Sequence, residues 1–365
     1  MKKNAAFLII AMIFSISIAI TFNILSAEEL PSGGTFTENI ELAISQNLPL
    51  RNSFSDLMDT ILYASGVRKF DNIYIGSNGS LLRDIEAPNQ RTFSAAKSYI
   101  LGYSEKNQIK PYFMLVPTSS AILVHEMDNF AAKDIYNQRN MILKMYSAFD
   151  GLVRTADIYQ TLYDHRTEYI YYHTEDMPTS LGGYYIYGEL CSRLGIKQNE
   201  MDSFSAAYVA HGFYGSLATD FLRVHSKPDF VTLYEHVGST KTVMVEHYNE
   251  NSPSKVTSGL FIYSEDSFSD KTDMILGGTS AKMEIYFSES HSEETSILIF
   301  GDESAKSWLP FLISNYGRIT FIDLNLISEK TLSSIKTSEY DQVLFAYSTA
   351  TFSSGISFEK LEYLG

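Results

Sequence analysis

Three short apolar segments constrain the fold of this chain more than any other feature. Residues 112–116 read YFMLV, residues 296–300 read SILIF and residues 343–347 read VLFAY. Strands that are apolar at nearly every position are typical of a parallel sheet covered on both faces. Helical patterns over 93–106, 135–149 and 305–315 separate such strands along the chain. The order predicts an α/β fold with helices on both faces of a mainly parallel sheet.

The segment 201–285 has a different character. Short β-rich runs at 231–234, 241–246 and 259–263 are separated by Ser, Asn and Pro turns. We interpret this segment as a β-rich insertion within a domain spanning 67–365, and expect the parts before and after it to form one sheet. Residues 28–66 are predicted to form a linker followed by an amphipathic helix. A hairpin is predicted over 72–82, around a Gly-Ser-Asn-Gly turn.

The first 27 residues resemble a targeting segment. Lys2 and Lys3 precede an apolar run over 5–22, which is the arrangement of an export signal. The run is also as long as a short membrane-spanning helix, and the bulky Leu25 makes a poor cleavage site. We favour a retained membrane anchor over a cleaved signal peptide. Either alternative predicts that the rest of the chain is extracytoplasmic, membrane-anchored or secreted.

Composition excludes several classes of protein. The formal net charge of −15 argues against a nucleic acid as partner. Cys191 is the single cysteine of the 365 residues, so the chain has no intrachain disulfide and no CxxC-type metal site. The 25 tyrosines and 23 phenylalanines favour packing of helices and strands, with an aromatic platform for carbohydrate as the alternative.

Two loops carry the residue types of a catalytic site. Residues 173–179 form a polar loop that opens into a helix near Ser180, and 301–304 form a turn between a strand and a helix. Ligand sites of parallel α/β sheets form beyond the carboxyl ends of the strands. A strand–turn–helix position suits a serine nucleophile whose oxyanion is held by backbone N–H groups.

Several segments, in a fixed order, resemble the DHHW family. Its members are Gram-positive envelope proteins whose core resembles SGNH hydrolases, and the family is more distantly similar to proteins that acetylate alginate. The resemblance implies an SGNH-like three-layer α/β/α fold and esterase or O-acetyltransferase chemistry on a cell-surface polysaccharide. The matching segments are 73–79, 112–118, 171–187, 212–215, 307–312 and 322–324.

The naming motif of the family is altered in this chain. The resemblance implies Thr-Asp-His-His-Trp-Thr followed by a small residue and Leu-Gly, where the second histidine is the expected base. By register, Glu175 replaces the aspartate, Asp176 the first histidine, Met177 the second histidine and Pro178 the tryptophan. Methionine cannot accept a proton, so the motif has lost its base while Leu181 and the following glycine remain.

The serine loop departs from the family pattern in the same direction. Asp302 matches the aspartate of the family's Asp-Ser-Tyr segment, Glu303 stands at the serine position and Ser304 falls one residue late. A Gly-Gly-Asn segment of the family is matched with Thr279 in the asparagine position. Ser304, Glu175 and Asp302 are therefore the candidate catalytic residues.

The chain has eight histidines that can be considered as a replacement for the lost base. His173 is the histidine nearest to Met177 in sequence, and a role in hydrogen-bonding the loop is favoured over a role as base. We take His173, Thr174 and Thr279 as candidate binding residues. The remaining histidines show no metal-ligand spacing: His125, His165, His211, His225, His236, His247 and His291.

Four acidic residues raise the hypothesis of a cation site. If the two loops meet, then Glu175, Asp176, Asp302 and Glu303 approach one crevice, where they would repel one another unless a cation lies among them. A Ca²⁺ or Mg²⁺ ion is one possibility, and no other cofactor is expected. The favoured alternative is that two or more of these side chains point to solvent.

Two functions remain open from the sequence. The favoured one is a catalytically degenerate, extracytoplasmic protein that binds a cell-surface glycan or an envelope assembly protein and contacts the membrane through its N-terminal segment. The alternative is an active serine esterase or O-acetyltransferase that uses Ser304 and an unidentified base.

Overall fold

The computed structural model describes residues 51–128, 131–237, 242–249, 252–264, 268–288 and 295–365, with side chains from residue 58 onward except that of Tyr208. The predicted signal peptide or anchor and most of the linker lie outside these residues. No helix within the described ranges is long and apolar enough to cross a membrane. The chain divides into units 1–67 and 68–365. The first contains helix α1 (Arg51–Ala64), within the predicted amphipathic segment.

Most strands of the second unit belong to one sheet. Across that sheet the order is β5-β4-β13-β11-β12-β10-β8-β9, and a small three-stranded sheet and a two-stranded sheet lie apart from it. The strands are β1 (Lys69–Phe70), β2 (Ile73–Ile75), β3 (Leu81–Arg83), β4 (Tyr112–Val116), β5 (Arg154–Ala156), β6 (Phe204–Phe213), β7 (Asp229–His236), β8 (Val243–Tyr248), β9 (Pro253–Ser258), β10 (Lys282–Phe287), β11 (Ser296–Gly301), β12 (Arg318–Ile322) and β13 (Gln342–Ser348).

The helices alternate with the parallel strands along the chain, as predicted. Short 3-10 turns complete several connections, among them Val124–Glu126 and Lys271–Met274. The α-helices of the second unit are α2 (Gln90–Asn107), α3 (Ser119–Ile122), α4 (Ala131–Asp134), α5 (Gln138–Ala148), α6 (Tyr159–Asp164), α7 (Ser180–Leu194), α8 (Asp220–His225), α9 (Ala305–Leu312), α10 (Glu329–Leu332) and α11 (Thr349–Ser354).

The three apolar segments lie side by side as β4, β13 and β11, paired in parallel. Alternate residues of these strands belong to two different hydrophobic clusters. In β11, Ile297 and Ile299 pack in the cluster that contains α7 and α9, whereas Leu298 and Phe300 pack in the cluster that contains α2 and α5. Both faces of the sheet are therefore covered by helices, and the three-layer α/β/α prediction is confirmed.

The β-rich segment 201–285 contains β6 to β9 and the start of β10. β6 and β7 pair with each other as a separate antiparallel sheet. β10 pairs antiparallel with β12, and β8 and β9 follow it, so three strands extend the main sheet. The expected insertion is thus partly a continuation of the sheet. Pairing with β10 covers the backbone groups that an edge strand at β12 would leave exposed.

A backbone contact between α7 and α9 positions the two predicted loops. A Cβ atom added at Gly183 would overlap the carbonyl oxygen of Ser307, and one added at Gly182 would overlap the carbonyl oxygen of Ile170. Only glycine lets the two helices approach so closely. The helices begin directly after the loops 173–179 and 301–304, so this contact holds the loops at one end of the sheet.

Replacing Gly183 with alanine tests the contact. We expect Gly183→Ala to lower the free energy of unfolding by about 3 kcal/mol or more, because the obstructing atoms are backbone atoms that cannot rotate away. Gly102→Ala is the matched control in α2, where an added Cβ meets no atom within 4 Å. It should stabilise the protein by about 0.5–1 kcal/mol. Urea unfolding measures both, and equal effects would contradict the assigned packing.

Candidate functional site

The loop 173–179 is closed at its base by its own residues. Tyr171 and Pro178 form an isolated antiparallel bridge, and the Thr179 hydroxyl donates to the carbonyl oxygen of Tyr169 at 2.7 Å. The same hydroxyl oxygen accepts from the N–H of Gly182, so Thr179 is the N-cap of α7, which begins at Ser180. The loop therefore enters the helix in a defined direction.

Asp229, at the start of β7, organises the front of the loop. Its buried carboxylate accepts hydrogen bonds from the backbone N–H groups of His173 and Thr174 at 2.6 and 2.8 Å, and from the Thr174 and Tyr169 hydroxyls. His173 Nδ1 lies 3.1 Å from the same carboxylate. Sequence reasoning missed Asp229, because nothing in its local sequence marks it as a partner of a loop more than 50 residues away. The bonds of His173 and Thr174 to Asp229 hold the loop in place.

Glu175 is also part of the loop framework. Its carboxylate accepts from the backbone N–H and the hydroxyl of Ser216, both at 2.7 Å, and from the N–H of Asp176 at 3.0 Å. Thr174 Oγ1 accepts from the N–H of Gly215 at 2.8 Å. Glu175 therefore joins two chain segments.

Asp176 is the most strongly perturbed acid of the motif. Its side chain is 3% exposed, and its Oδ2 lies 2.9 Å from Arg83 Nε. Neither Asp176 carboxylate oxygen has a hydrogen-bond partner among the described residues, so the contact with Arg83 is an ion pair. Burial raises the pKa of Asp176 to about 6; Arg83 opposes this shift, while the charges of Glu175 and Asp302 add to it.

The serine loop follows β11. Asp302 accepts a hydrogen bond from the Ser304 hydroxyl at 2.5 Å and from the N–H groups of Ser304 and Ser348 at 3.1 and 2.8 Å. Ser304 is 4% exposed. Within the described ranges no histidine forms a hydrogen bond with the Ser304 hydroxyl, so the structure pairs this serine with a carboxylate instead of an imidazole.

Lys306, in the first turn of α9, is a cation that sequence reasoning overlooked. The side chain is 1% exposed, and its Nζ lies 2.8 Å from both Thr272 Oγ1 and Asp273 Oδ1. Glu303 Oε1 and Asp270 Oδ2 lie at 3.3 and 3.4 Å. Burial alone would lower the pKa of Lys306, but the three carboxylates outweigh it and raise the pKa. The ammonium therefore stays charged.

The four acids of the cation hypothesis do not form one cluster. Glu175 is bound by Ser216, Asp176 contacts Arg83, Asp302 is bound by Ser304 and Ser348, and Glu303 pairs with Lys306. No group of three or more His, Cys, Asp or Glu residues within the described ranges is arranged to hold a metal ion. The proposed Ca²⁺ or Mg²⁺ site is thus absent from this part of the chain, because each acid has a partner from elsewhere.

The remaining predicted residues take ordinary positions. Met177 is 3% exposed and belongs to the hydrophobic cluster of α7 and α9. Thr279 is half-buried, next to Gly278, where an added Cβ would lie 3.1 Å from the Asp273 carboxyl group. The loop of Thr279 therefore borders the Lys306 cluster. Cys191 is buried, as predicted.

The raised pKa of Asp176 predicts how stability depends on pH. Between about pH 4 and 6 the folded protein keeps a proton that the unfolded chain has released, so ionisation of Asp176 lowers stability as pH rises. Asp176→Asn cannot ionise. We expect its stability relative to the parent protein to rise by about 3 kcal/mol from pH 3.5 to pH 7.5. Urea unfolding at a series of pH values measures this.

The control for Asp176→Asn is Asp71→Asn. Asp71 is exposed and has a φ of 52°, a conformation that asparagine also adopts readily. The difference between Asp176→Asn and the parent protein should change with pH by more than the difference between Asp71→Asn and the parent protein. Burial also raises the pKa of Asp323 to about 6. Asp323 is present in all three proteins, so its effect on stability cancels in the differences between them. A pH-independent difference for Asp176→Asn would contradict the assignment.

The chain is similar to one protein family and to several solved structures. The family model described as "DHHW protein" matches residues 98–322. No curated protein matches the sequence significantly. Solved structures that resemble the chain include a DHHW family protein from Eubacterium siraeum DSM 15702, 19% identical, with a TM-score of 0.62 over 80% of this chain and 98% of that one.

Two further solved structures are also similar to this chain. PatB1 from Bacillus cereus, with a sulfonyl adduct, is 13% identical, with a TM-score of 0.62 over 80% of this chain and 99% of its own. The O-acetyltransferase domain of AlgJ from Pseudomonas putida is 12% identical, with a TM-score of 0.43 over 80% of this chain and 84% of that domain. The structural likeness shows an SGNH-like α/β fold, and the family match extends over more than half of the sequence. The chain belongs to the DHHW family.

Proposed function

We propose that this protein is a non-catalytic member of the DHHW family that acts outside the cytoplasm by binding a cell-surface glycan or an envelope assembly protein. The observation that carries the proposal is the occupation of the reactive positions. The position of the expected base holds a buried methionine, and the serine position holds a glutamate paired with a lysine. The framework around these positions is intact.

The strongest support for a non-catalytic function is the loss of the expected histidine base. A serine hydroxyl is a weak nucleophile unless a neighbouring group takes its proton, and removal of one member of a catalytic triad lowers the rate by several orders of magnitude. Met177 packs in the core. His173 is hydrogen-bonded to Asp229 and forms no hydrogen bond with Ser304 within the described part of the chain. Neither residue supports proton transfer from Ser304.

The serine loop supports the same proposal. Glu303 stands at the register of the family serine, and its carboxylate lies 3.3 Å from Lys306. An acyl group on a glutamate would be a mixed anhydride, which makes Glu303 a poor nucleophile for acyl transfer. Ser304 is nearly inaccessible, and its hydroxyl is engaged by Asp302.

One observation favours the second candidate, an active serine esterase or O-acetyltransferase. The Ser304 hydroxyl donates to a carboxylate at 2.5 Å, which is the geometry of a nucleophile with a base. However, carboxylates are weaker bases than imidazoles. Asp302 also accepts hydrogen bonds from two backbone N–H groups, which give it a structural role in the turn. The non-catalytic function is therefore the better supported.

The proposed location depends on the N-terminal segment. Lys2 and Lys3 before an apolar run over 5–22 support export, with the segment either retained as a membrane anchor or cleaved. The high negative charge of the chain opposes a nucleic acid partner. A glycan or an envelope protein therefore remains as the class of partner.

Labelling and turnover test the absence of catalysis. We expect the full-length protein to hydrolyse p-nitrophenyl acetate at the same rate as Ser304→Ala, and to gain no mass from an arylsulfonyl fluoride. PatB1 from Bacillus cereus, whose structure carries a sulfonyl adduct, is the positive control. Turnover that is lost in Ser304→Ala while its melting temperature is unchanged would overturn the proposal in favour of the esterase.

A further inference from the structure

A cavity opens beside the loop 173–179. Its volume is about 530 Å³, which falls within the range of small-molecule sites. Residues of the serine loop and Lys306 are not among its lining residues, so it is distinct from the altered catalytic positions. The lining includes the acids Glu126 and Glu168, the cations Arg166 and Lys227, and the rings of Tyr169, His173 and Phe230.

Backbone hydrogen bonds tie the walls of the cavity together. The N–H of Ser77 donates to the carbonyl oxygen of Glu126 at 2.8 Å, and the N–H of Lys227 donates to that of Gly79 at 2.9 Å. The N–H of Leu81 donates to the carbonyl oxygen of His173 at 2.6 Å. These bonds connect four segments that are distant in sequence. The cavity is therefore preformed, which lowers the cost of ordering it around a ligand.

His173 presents a defined hydrogen-bonding group at this cavity. Its Nδ1 lies 3.1 Å from the fully buried carboxylate of Asp229, so Nδ1 carries the proton and donates to it. In the neutral imidazole, Nε2 then has a free lone pair. No group among the described residues forms a hydrogen bond with His173 Nε2. A ligand hydroxyl could donate to this atom.

Three stacked rings form one wall. The ring of Tyr169 lies 4.8 Å from that of His173 and 4.4 Å from that of Phe230, with interplanar angles of 26° and 29°. The Tyr169 hydroxyl donates to Asp229, which fixes the middle ring. Because Tyr169 lies between the other two rings, the wall offers ring edges as apolar contact area beside hydrogen-bonding groups, which suits the mixed apolar and polar surface of a sugar ring.

The two cations that line the cavity are the groups that an anionic ligand would contact. Arg166 and Lys227 line it, and neither forms an ion pair with a carboxylate in the described part of the chain. Both lining acids are already bound: Glu126 accepts from the Ser77 hydroxyl at 2.6 Å, and Glu168 accepts from the Tyr185 hydroxyl at 2.7 Å. A hydroxyl donor does not neutralise a carboxylate, so the formal charges of the two acids and the two cations balance, and Arg166 and Lys227 are the pair without a carboxylate partner among the described residues. They suit a carboxylate or phosphate on the ligand.

We propose that this cavity binds a sugar unit that carries an anionic group, with the ring against Tyr169 and Phe230, a hydroxyl donating to His173 Nε2 and the anion near Lys227. The inference rests on the proposed function in its glycan-binding form and assigns the residues that would do the binding. Group transfer is not part of it.

Calorimetry on the full-length protein tests the ligand class with matched probes. The acidic probes are a hyaluronan tetrasaccharide, which bears carboxylates, and glucose 1-phosphate; the neutral probes are chitotetraose and glucose. We expect one acidic probe to bind at least about tenfold more tightly than its neutral counterpart, and the difference to shrink at high salt. The probe that binds distinguishes a carboxylate from a phosphate. Absence of binding by all four overturns this inference, whereas the proposed function is overturned only by serine-dependent turnover.

Substitutions locate the binding. Lys227→Gln should weaken binding of the acidic probe by about tenfold, whereas Lys97→Gln, at an exposed position on α2, should leave it unchanged. His173→Asn keeps a side-chain N–H for Asp229 but removes Nε2, so it should weaken binding with a similar melting temperature. Tight binding that survives both cavity substitutions overturns the cavity assignment alone and leaves the proposed function standing.

Discussion

The backbone contact between Gly183 and Ser307 is the constraint on which the candidate site depends. It brings the first turns of α7 and α9 together, and both loops are attached to those turns. The contact requires a residue without a Cβ and a particular helix position, but it requires nothing of the side chains in the loops. This separation explains how the framework of a DHHW site is retained while its reactive residues differ.

Electrostatics then decide what the altered site can do. A buried ammonium is stable only when acceptors and opposite charges surround it, and Lys306 has three carboxylates and a hydroxyl around its Nζ. The chain thereby supplies its own cation beside Glu303, one of the four acids of the cation hypothesis. On the other loop, Asp176 is buried beside Arg83 without a hydrogen bond, and burial raises its pKa to about 6. Each acid of the two loops thus has its own partner in the chain.

The sequence predicted the features that local pattern controls. Continuous apolar strands at 112–116 and 296–300 indicated a covered parallel sheet, and Thr179 before Ser180 indicated a helix N-terminus. It did not predict features that depend on distant partners. The extension of the sheet by β8 to β10 depends on pairing with β12, and the role of Asp229 depends on a loop on another element. The cation hypothesis did not anticipate the partners of the acids: Ser216 and Ser348 are 41 and 46 residues from Glu175 and Asp302 in sequence. Lys306 is only three residues from Glu303, but its burial among acids comes from the distant segment of Asp270 and Asp273.

The carboxylate of Asp229 has a consequence for how such a loop can change. It binds the loop through the main-chain N–H groups of residues 173 and 174, which every residue except proline provides. Residues 175–178 contribute nothing to those two bonds. Exchanging their side chains therefore leaves those two bonds in place, and the side chain of Glu175 adds bonds of its own to Ser216. Substitutions in such a loop can therefore replace its reactive groups in a protein that stays folded. The same property is useful in protein design.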